Sequence, residues 1–229
     1  MRWLDKKFQF WSYRKMKTID NIKEYKHEYE NKPKRNMVKI CVIDDEGFQQ
    51  VDNLKKLGYE NIDVKYNFES IDALERYDVI LCDLDGIGKV LDTKKQGLAV
   101  VEQILINFPL KKVFIYSGKT IEGYGSLPEN VTFISKQTST NDISKLLDNE
   151  CSYLWNPIEG WEKISELLIK NSINAKTIAV IEDRFVKAVL GKDKLFDSKE
   201  MGCLPKIDDV IKAIEICVRI SQIVGGFVD

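Results

Sequence analysis

The sequence predicts an α/β protein with a doubly wound, five-stranded parallel sheet and additional α-helical segments at both ends of the chain. Two observations lead to this prediction. Between residues 37 and 149, five short apolar runs alternate with stretches whose apolar residues recur at three-and-four spacing, which is typical of successive strand–helix units. The run at residues 79–82 is apolar throughout and is followed by polar residues, as expected for a strand buried on both faces of a parallel sheet.

The predicted elements follow one another in a regular order. Polar or glycine residues follow most of the apolar runs, and the intervening helices present one apolar face. Right-handed crossovers then place helices on both faces of the sheet. The strands are predicted at residues 38–46, 62–66, 79–82, 111–117 and 131–136, and the helices at residues 48–57, 70–76, 97–107 and from residue 142 onward.

Three segments are predicted along the chain: a basic amphipathic helical arm and linker at residues 1–36, the sheet domain at residues 37–149, and a helical interaction or output module at residues 150–229. The arm carries 11 Lys and Arg against 5 Asp and Glu. Its apolar spacing, without Gly or Pro, predicts one long helix over residues 2–30. We expect this helix to pack on the C-terminal helices or on a second copy, with a peripheral membrane contact as the alternative. The C-terminal helices are predicted at residues 161–170, 174–190 and 206–224.

Cysteine, histidine and charge usage argue against several classes of protein. The five cysteines show no C-x-x-C spacing, which favours reduced, buried thiols in a cytoplasmic protein. His27 is the single histidine, so a histidine-rich metal site is excluded. No stretch approaches the roughly 18 consecutive apolar residues of a membrane span. Residues 150–229 carry 11 basic against 13 acidic residues, so nucleic-acid binding is not favoured, and a helix-turn-helix effector stays open only as an alternative.

Polar residues at the ends of four predicted strands form a candidate site. Asp44 and Asp45 follow the first strand and Asp83 follows the third; Ser117 ends the fourth and Lys136 lies at the end of the fifth. Strand ends of this kind meet at one edge of the sheet, where open α/β sheets bind ligands. Three carboxylates gathered there repel one another, and a bound Mg²⁺, a raised pKa or a nearby lysine relieves that repulsion. The sequence supplies both the oxygen ligands and the lysine.

Residues 37 to about 149 resemble the receiver domain of two-component response regulators. Receiver domains have the CheY-like fold, which is one of the flavodoxin-like folds. Four motifs carry the resemblance: IDDE at 43–46, YDVILCD at 77–83, IYSG at 115–118 and FISK at 133–136. The resemblance implies a phosphoprotein that accepts its phosphoryl group from a histidine kinase or another phosphodonor. It then passes the signal on through a protein partner or a homodimer, and it shows at most slow self-dephosphorylation rather than turnover.

The resemblance also implies a role for each site residue. Mg²⁺ would be the cofactor, and the fourth and fifth strands would transmit the phosphorylated state. The implied roles are Asp83 as phosphoacceptor, Lys136 and Ser117 as contacts of the phosphoryl group, Phe133 as the switch residue, and Asp44, Asp45, Asp83 and the backbone carbonyl of Asp85 as metal ligands.

Two other functions stay open from the sequence. The first is a pseudo-receiver, in which the domain would serve only as a scaffold or adaptor. This alternative stays open because Ile87 and Gln137 stand where the receiver family usually has proline. The string DLDG at residues 83–86 is similar to the nucleophile motif of the haloacid dehalogenase phosphatases. The residues that would complete a phosphatase site are Ser117, Lys136, Glu182 and Asp183.

Overall fold

The computed structural model of the chain describes residues 16–23, 33–119, 127–128, 131–191 and 208–224. The strands are β1 (Lys39–Ile43), β2 (Asn61–Lys65), β3 (Val79–Cys82), β4 (Lys112–Ser117) and β5 (Val131–Ser135). The α-helices are α1 (Asp20–Lys23), α2 (Val51–Lys56), α3 (Gly97–Asn107), α4 (Thr140–Glu150), α5 (Pro157–Lys170), α6 (Ala175–Val189) and α7 (Asp208–Val224). Short 3₁₀ helices lie at Arg35–Met37, Asp72–Leu74 and Ser152–Leu154.

Two compact units make up the chain. The sheet domain is residues 33–151 and carries all five strands. The helical unit combines residues 1–32 with residues 152–229 and carries α1, α5, α6 and α7. The sheet domain is therefore inserted between two parts of the helical unit. The sequence-based segments ended instead at residues 36 and 149.

All neighbouring strands of the sheet domain pair in parallel, in the order β2-β1-β3-β4-β5. This order confirms the predicted doubly wound, five-stranded sheet, and it is the order of the flavodoxin-like folds that include CheY. The strand order reverses between β1 and β3, and such a switch point opens a crevice at the carboxyl ends of the strands. Ile43 is level with Cys82 across these two strands, so the residues that follow them emerge side by side.

The central strands are buried because they are apolar along their whole length. Every residue of β3 is buried, and β1 is buried from its second residue onward. Side chains of α3, including Val100 and Ile104, pack with these strands in one apolar cluster. The edge strand β2 has a mixed pattern with only one buried residue. The buried strands therefore give the carboxyl edge of the sheet a rigid support.

Three helices of the sheet domain differ from their predicted extents. The helix predicted over residues 48–57 is shorter, because α2 covers only Val51–Lys56. Residues 70–76, predicted as a helix, contain only the 3₁₀ turn Asp72–Leu74. Leu74 in this turn is nevertheless buried. The apolar pattern therefore identified a residue of the core, although the segment is too short for an α-helix. The helix that follows β5 begins at Thr140, two residues earlier than predicted, because Ser139 caps it by accepting a hydrogen bond from the Asp142 backbone N–H.

A polar cluster joins the beginning of the sheet domain to its last helix. Arg35 donates from Nε and Nη2 to the two carboxylate oxygens of Asp148, at 2.9 and 2.5 Å. The fully buried Tyr59 donates its hydroxyl to the same carboxylate at 2.8 Å. Such bidentate, charge-assisted hydrogen bonds are among the strong ones in proteins. They fix the two ends of the sheet domain next to each other.

Asparagine caps and aromatic packing define the helical unit. Asn156 accepts from the backbone N–H groups of Ile158 and Glu159 at the start of α5, and Asn174 accepts from that of Thr177 at the start of α6. Between these helices the rings of Trp161 and Phe185 stack with centroids 5.8 Å apart. The three predicted C-terminal helices are thus present with nearly the predicted bounds. None of the described helices is long and apolar enough to cross a membrane.

The single helix predicted over residues 2–30 is wrong in its described part. Residues 16–18 have no regular structure, and α1 begins only at Asp20. The reason is a long-range contact: Asp183 accepts the Lys17 backbone N–H at 2.6 Å, and Glu182 accepts that of Ile19 at 2.8 Å. Short α1 then packs against α5 and α6. Its contacts agree with the expected packing of the N-terminal segment on the C-terminal helices. Residues 1–15 and 24–32 lie outside the described part of the chain.

Candidate functional site

Three aspartates meet at the switch point between β1 and β3. Asp44 and Asp45 directly follow β1, and Asp83 directly follows β3. Each offers a carboxylate oxygen, and these oxygens lie within 4.8 Å of one another. Asp44 is fully buried and Asp83 is 4% exposed, whereas Asp45 is exposed. The structure thus brings together the three carboxylates that the sequence placed at this edge.

Lys136 connects two of these carboxylates from the end of β5. Its Nζ donates to Asp83 Oδ2 at 2.6 Å and lies 2.9 Å from Asp44 Oδ2. It also lies 3.7 Å from the exposed carboxylate of Glu46. Burial by itself would lower the pKa of Lys136, but the hydrogen bond to Asp83 and the close negative charges of Asp83 and Asp44 outweigh it and raise that pKa. The ammonium is therefore charged at neutral pH, and it offsets only part of the negative charge at the site.

Asp44 retains a buried oxygen that lacks an aligned donor. Its Oδ1 accepts the Glu46 backbone N–H at 3.0 Å. Its Oδ2 is buried and has no hydrogen bond of good geometry, although the Lys136 ammonium lies 2.9 Å away as an ion-pair contact. A buried carboxylate oxygen without a full set of partners is costly. A cation bound beside Asp44 would supply the missing interaction.

The donor set fits a divalent cation that prefers oxygen ligands. Asp44, Asp45 and Asp83 supply carboxylates only, and Mg²⁺ binds such hard oxygen ligands together with water molecules. The exposed side chain of Asp45 leaves one side of the cluster open to water. The residues present therefore fit the Mg²⁺ that the sequence analysis implied.

Both oxygens of the Asp83 carboxylate accept hydrogen bonds. Oδ1 accepts the Asp85 backbone N–H at 3.2 Å, and Oδ2 accepts from Lys136. Burial raises the pKa of Asp83 above its ordinary value, and the hydrogen bonds from Lys136 and the Asp85 N–H offset part of that rise. This carboxylate is thus poorly solvated but held in one orientation, which suits a nucleophile in a crevice.

Ser117 is the last residue of β4, the strand that pairs with β3. The residue is fully buried, and its Oγ accepts the Lys119 backbone N–H at 3.2 Å. Lys119 in turn pairs with Asp85, with its Nζ 2.6 Å from Oδ1. Asp85, the second carboxylate of the DLDG string, is therefore paired with a lysine. Neither Lys119 nor the Glu46 of the IDDE motif could be assigned a role from the sequence, because single charged residues of both kinds are common on protein surfaces.

Phe133 lies on β5 and is partly buried against the apolar cluster of the sheet domain. Another aromatic residue lies beside Lys136: the ring centroid of Tyr116 is 5.7 Å from its Nζ. Tyr116 is 4% exposed and makes an edge-to-face contact with Phe48. The switch role of Phe133 stays a prediction.

Glu182 and Asp183 belong to the helical unit and not to the sheet domain. Both accept backbone N–H groups there, and Asp183 also pairs with Lys187 at 2.7 Å. These contacts account for both carboxylates as structural groups. The structure gives no support to the alternative in which they would complete a phosphatase site.

Comparison with solved structures finds receiver domains. The BeF3-activated DrrB receiver domain has 16% identity and a TM-score of 0.37, covering 50% of this chain and 97% of that one. A CheY-like receiver domain protein from Methanospirillum hungatei JF-1 has 18% identity and a TM-score of 0.35, covering 49% and 95%. A response regulator from Burkholderia pseudomallei, solved with a phosphorylated aspartic acid, calcium ion and citrate, has 20% identity and a TM-score of 0.34, covering 62% and 91%.

The chain matches no protein-family model and no curated protein. The sheet domain is similar to response-regulator receiver domains, and its strand order makes it a CheY-like α/β fold. At identities of 16–20% and TM-scores below 0.4, this likeness carries no argument by itself, and the fold assignment rests on the strand order. The function has to be inferred from the site of this chain itself.

Proposed function

We propose that the sheet domain is a receiver-like signalling domain that accepts a phosphoryl group on Asp83 in the presence of Mg²⁺. One observation carries the proposal. The buried carboxylate of Asp83 is hydrogen-bonded by Lys136 and lies beside the carboxylates of Asp44 and Asp45 at the topological switch point. A nucleophile, a fixed positive charge and a cation site at one point are what phosphoryl transfer requires.

In the proposed reaction, an Asp83 carboxylate oxygen attacks the phosphorus atom of a phosphohistidine. One O–P bond forms, the P–N bond of the donor breaks, and the leaving imidazole takes up a proton from solvent. Bound Mg²⁺, held by the carboxylates of Asp44, Asp45 and Asp83 and by the Asp85 carbonyl, would offset negative charge on the transferred group. Lys136 already lies 2.6 Å from the attacking carboxylate, so its charge is next to the new phosphoryl oxygens.

The output would pass through the elements that border the site. Phosphorylation adds roughly two negative charges, and the buried hydroxyl of Ser117 would turn toward them from the end of β4. Phe133, partly buried on the neighbouring β5, would follow this movement. A histidine kinase or another phosphodonor would act upstream. A protein partner or a second copy, bound through the helical segments, would receive the signal.

Intact-mass spectrometry after incubation with Mg²⁺ and acetyl phosphate tests the proposal. We expect an adduct of one phosphoryl group that is labile in alkali, requires Mg²⁺, and is absent from Asp83→Asn. Asp52→Asn, an exposed aspartate on α2, serves as the matched control and should be labelled like the wild type. If the wild type forms no adduct and beryllofluoride does not change its oligomer size, the pseudo-receiver scaffold is favoured instead.

A further inference from the structure

The turn that leads into α3 places a glutamine where the backbone favours glycine. Residues 95–98 form a β-turn in which the Leu98 N–H donates to the Lys95 carbonyl at 3.0 Å. Gln96 occupies the first central position with φ 48° and ψ −122°. These angles define a type II′ turn, whose first central position is typically glycine because φ is positive. A glutamine kept there at a conformational cost points to a function for its side chain.

Glycine is required at the next position for a different reason. A Cβ atom on Gly97 would lie 2.0 Å from the Asp83 carbonyl oxygen and 2.6 Å from Leu84 Cα. The Gly97 N–H also donates to the Leu84 carbonyl at 3.0 Å. The start of α3 is therefore pressed against the backbone of the proposed phosphoacceptor, and the turn cannot shift by one residue to bring a glycine to the strained position.

The Gln96 side chain reaches from this turn to the metal-ligand cluster. Its Oε1 accepts the backbone N–H of Gly86 at 2.8 Å. Gly86 has a φ of +79°, and a Cβ atom on it would lie 2.0 Å from Asp45 Oδ2. The backbone of Gly86 thus lies directly against the carboxylate of Asp45. Gln96 holds the residue that forms one wall for this carboxylate.

Gln96 is anchored independently of the site that it supports. The Asp92 carboxylate accepts the backbone N–H groups of Lys94 and Lys95 at 2.7 and 2.9 Å. The Gln96 N–H donates to the Asp92 carbonyl at 2.9 Å. The long loop before α3 is therefore fixed by its own hydrogen bonds, and it presents the Gln96 amide to residues 83–86 from a stable base.

We propose that Gln96 is a positioning residue of the cation site: it holds Gly86 in place and thereby fixes the Asp45 carboxylate for metal binding. The inference rests on the proposed function, because it concerns the same Mg²⁺ site. It explains why a strained glutamine stands at a glycine position. It also assigns a role to the loop at residues 89–96 that leads into α3.

Gln96→Gly separates positioning from folding, because it removes the side-chain hydrogen bond and relieves the strained φ in one change. Urea unfolding without metal should give a free energy of unfolding equal to or above that of the wild type. Titration calorimetry with Mg²⁺ should give a dissociation constant about 10-fold or more above the wild type, the range expected when a group that orients a metal ligand is lost. Gln103→Ala, at an exposed position on α3, should leave both quantities unchanged.

A double variant identifies Asp45 as the group through which Gln96 acts. In an Asp45→Asn background, Gln96→Gly should weaken Mg²⁺ binding no further. Three outcomes would overturn the role of Gln96 while leaving the site itself intact. Gln96→Gly could bind Mg²⁺ as tightly as the wild type, or it could lose stability and Mg²⁺ affinity in parallel. The third outcome is a double variant in which the losses of Mg²⁺ affinity from the two substitutions add. A wild-type protein that binds no Mg²⁺ would instead overturn the proposed cation site, and the role of Gln96 with it.

Discussion

Replacing Lys136 by methionine should destabilise the sheet domain in a way that Mg²⁺ reverses. Methionine keeps most of the aliphatic stem but removes the ammonium that lies 2.6 Å from Asp83 Oδ2 and 2.9 Å from Asp44 Oδ2. The two buried carboxylates then lose their shared counter-charge. Because the acidic cluster also contains Asp45, the remaining groups repel one another in a poorly solvated crevice.

The expected magnitude follows from the geometry. Two unit charges at 4.8 Å, the upper limit for the separation of these carboxylate oxygens, repel by about 3.5 kcal/mol at an effective dielectric constant of about 20. Removal of one partner from a buried ion pair costs about 3–5 kcal/mol. The Lys136 side chain is 23% exposed, so water recovers part of this energy. We therefore expect the free energy of unfolding to fall by about 3 kcal/mol in the absence of divalent cations.

Magnesium should restore more stability to Lys136→Met than to the wild type. A ligand at one hundred times its dissociation constant adds about 2.7 kcal/mol to the free energy of unfolding. Without the lysine charge, the cluster is more negative and should bind the cation more tightly. Urea unfolding with chelator and with Mg²⁺ measures both quantities for each protein.

A surface lysine provides the control for this experiment. Lys145 pairs with Asp142 at 3.3 Å, with both side chains more than half exposed, and Lys145→Met should change the free energy of unfolding by less than about 0.5 kcal/mol. Equal Mg²⁺ stabilisation of the wild type and Lys136→Met would refute the reasoning, because the lysine and the cation would then not share the same carboxylates.

Two further predictions concern other parts of the molecule. Burial raises the pKa of the Cys41 thiol from 9.0 to about 12, so the unfolded chain loses this proton first. The Cys41 contribution to the free energy of unfolding should therefore fall as the pH rises from 9.0 toward about 12, by up to about 1.4 kcal/mol per pH unit. Urea unfolding across this range should give a shallower decline for Cys41→Ala, and an identical slope would contradict the assignment. In the helical unit, Asp183→Ala removes the acceptor of the Lys17 N–H. Hydrogen exchange at that amide should accelerate about tenfold or more, whereas Glu166→Ala, at an exposed position on α5, should leave it unchanged.

The sheet and the acidic cluster could be predicted because their signals are local. The run at residues 79–82 is apolar and short, and it ends directly at Asp83. The same pattern at β1 brings Asp44 and Asp45 to the neighbouring strand end. Parallel pairing between successive strand–helix units then fixes which side chains meet. Lys136 could be placed at the same edge by the same rule, although its exact partners could not.

Other features depend on contacts between distant parts of the chain. The apolar spacing before residue 30 is compatible with one helix, but carboxylates of α6 bind the backbone N–H groups of Lys17 and Ile19, more than 160 residues earlier. No local pattern contains that information. Gln96 was overlooked for a similar reason, because its role depends on the close approach of Gly97 to the Asp83 backbone.

The hydrogen bonds between Arg35 and Asp148 have a consequence for how the chain folds during synthesis. They join the beginning of the sheet domain to its last helix. All the residues that this domain needs for folding are therefore present once residue 151 has left the ribosome. The helical unit must still wait for α5, α6 and α7. Domains generally fold as units as they emerge. Residues 17–23 are therefore made before the sheet domain, but they gain their partners on α5 and α6 only after it has folded.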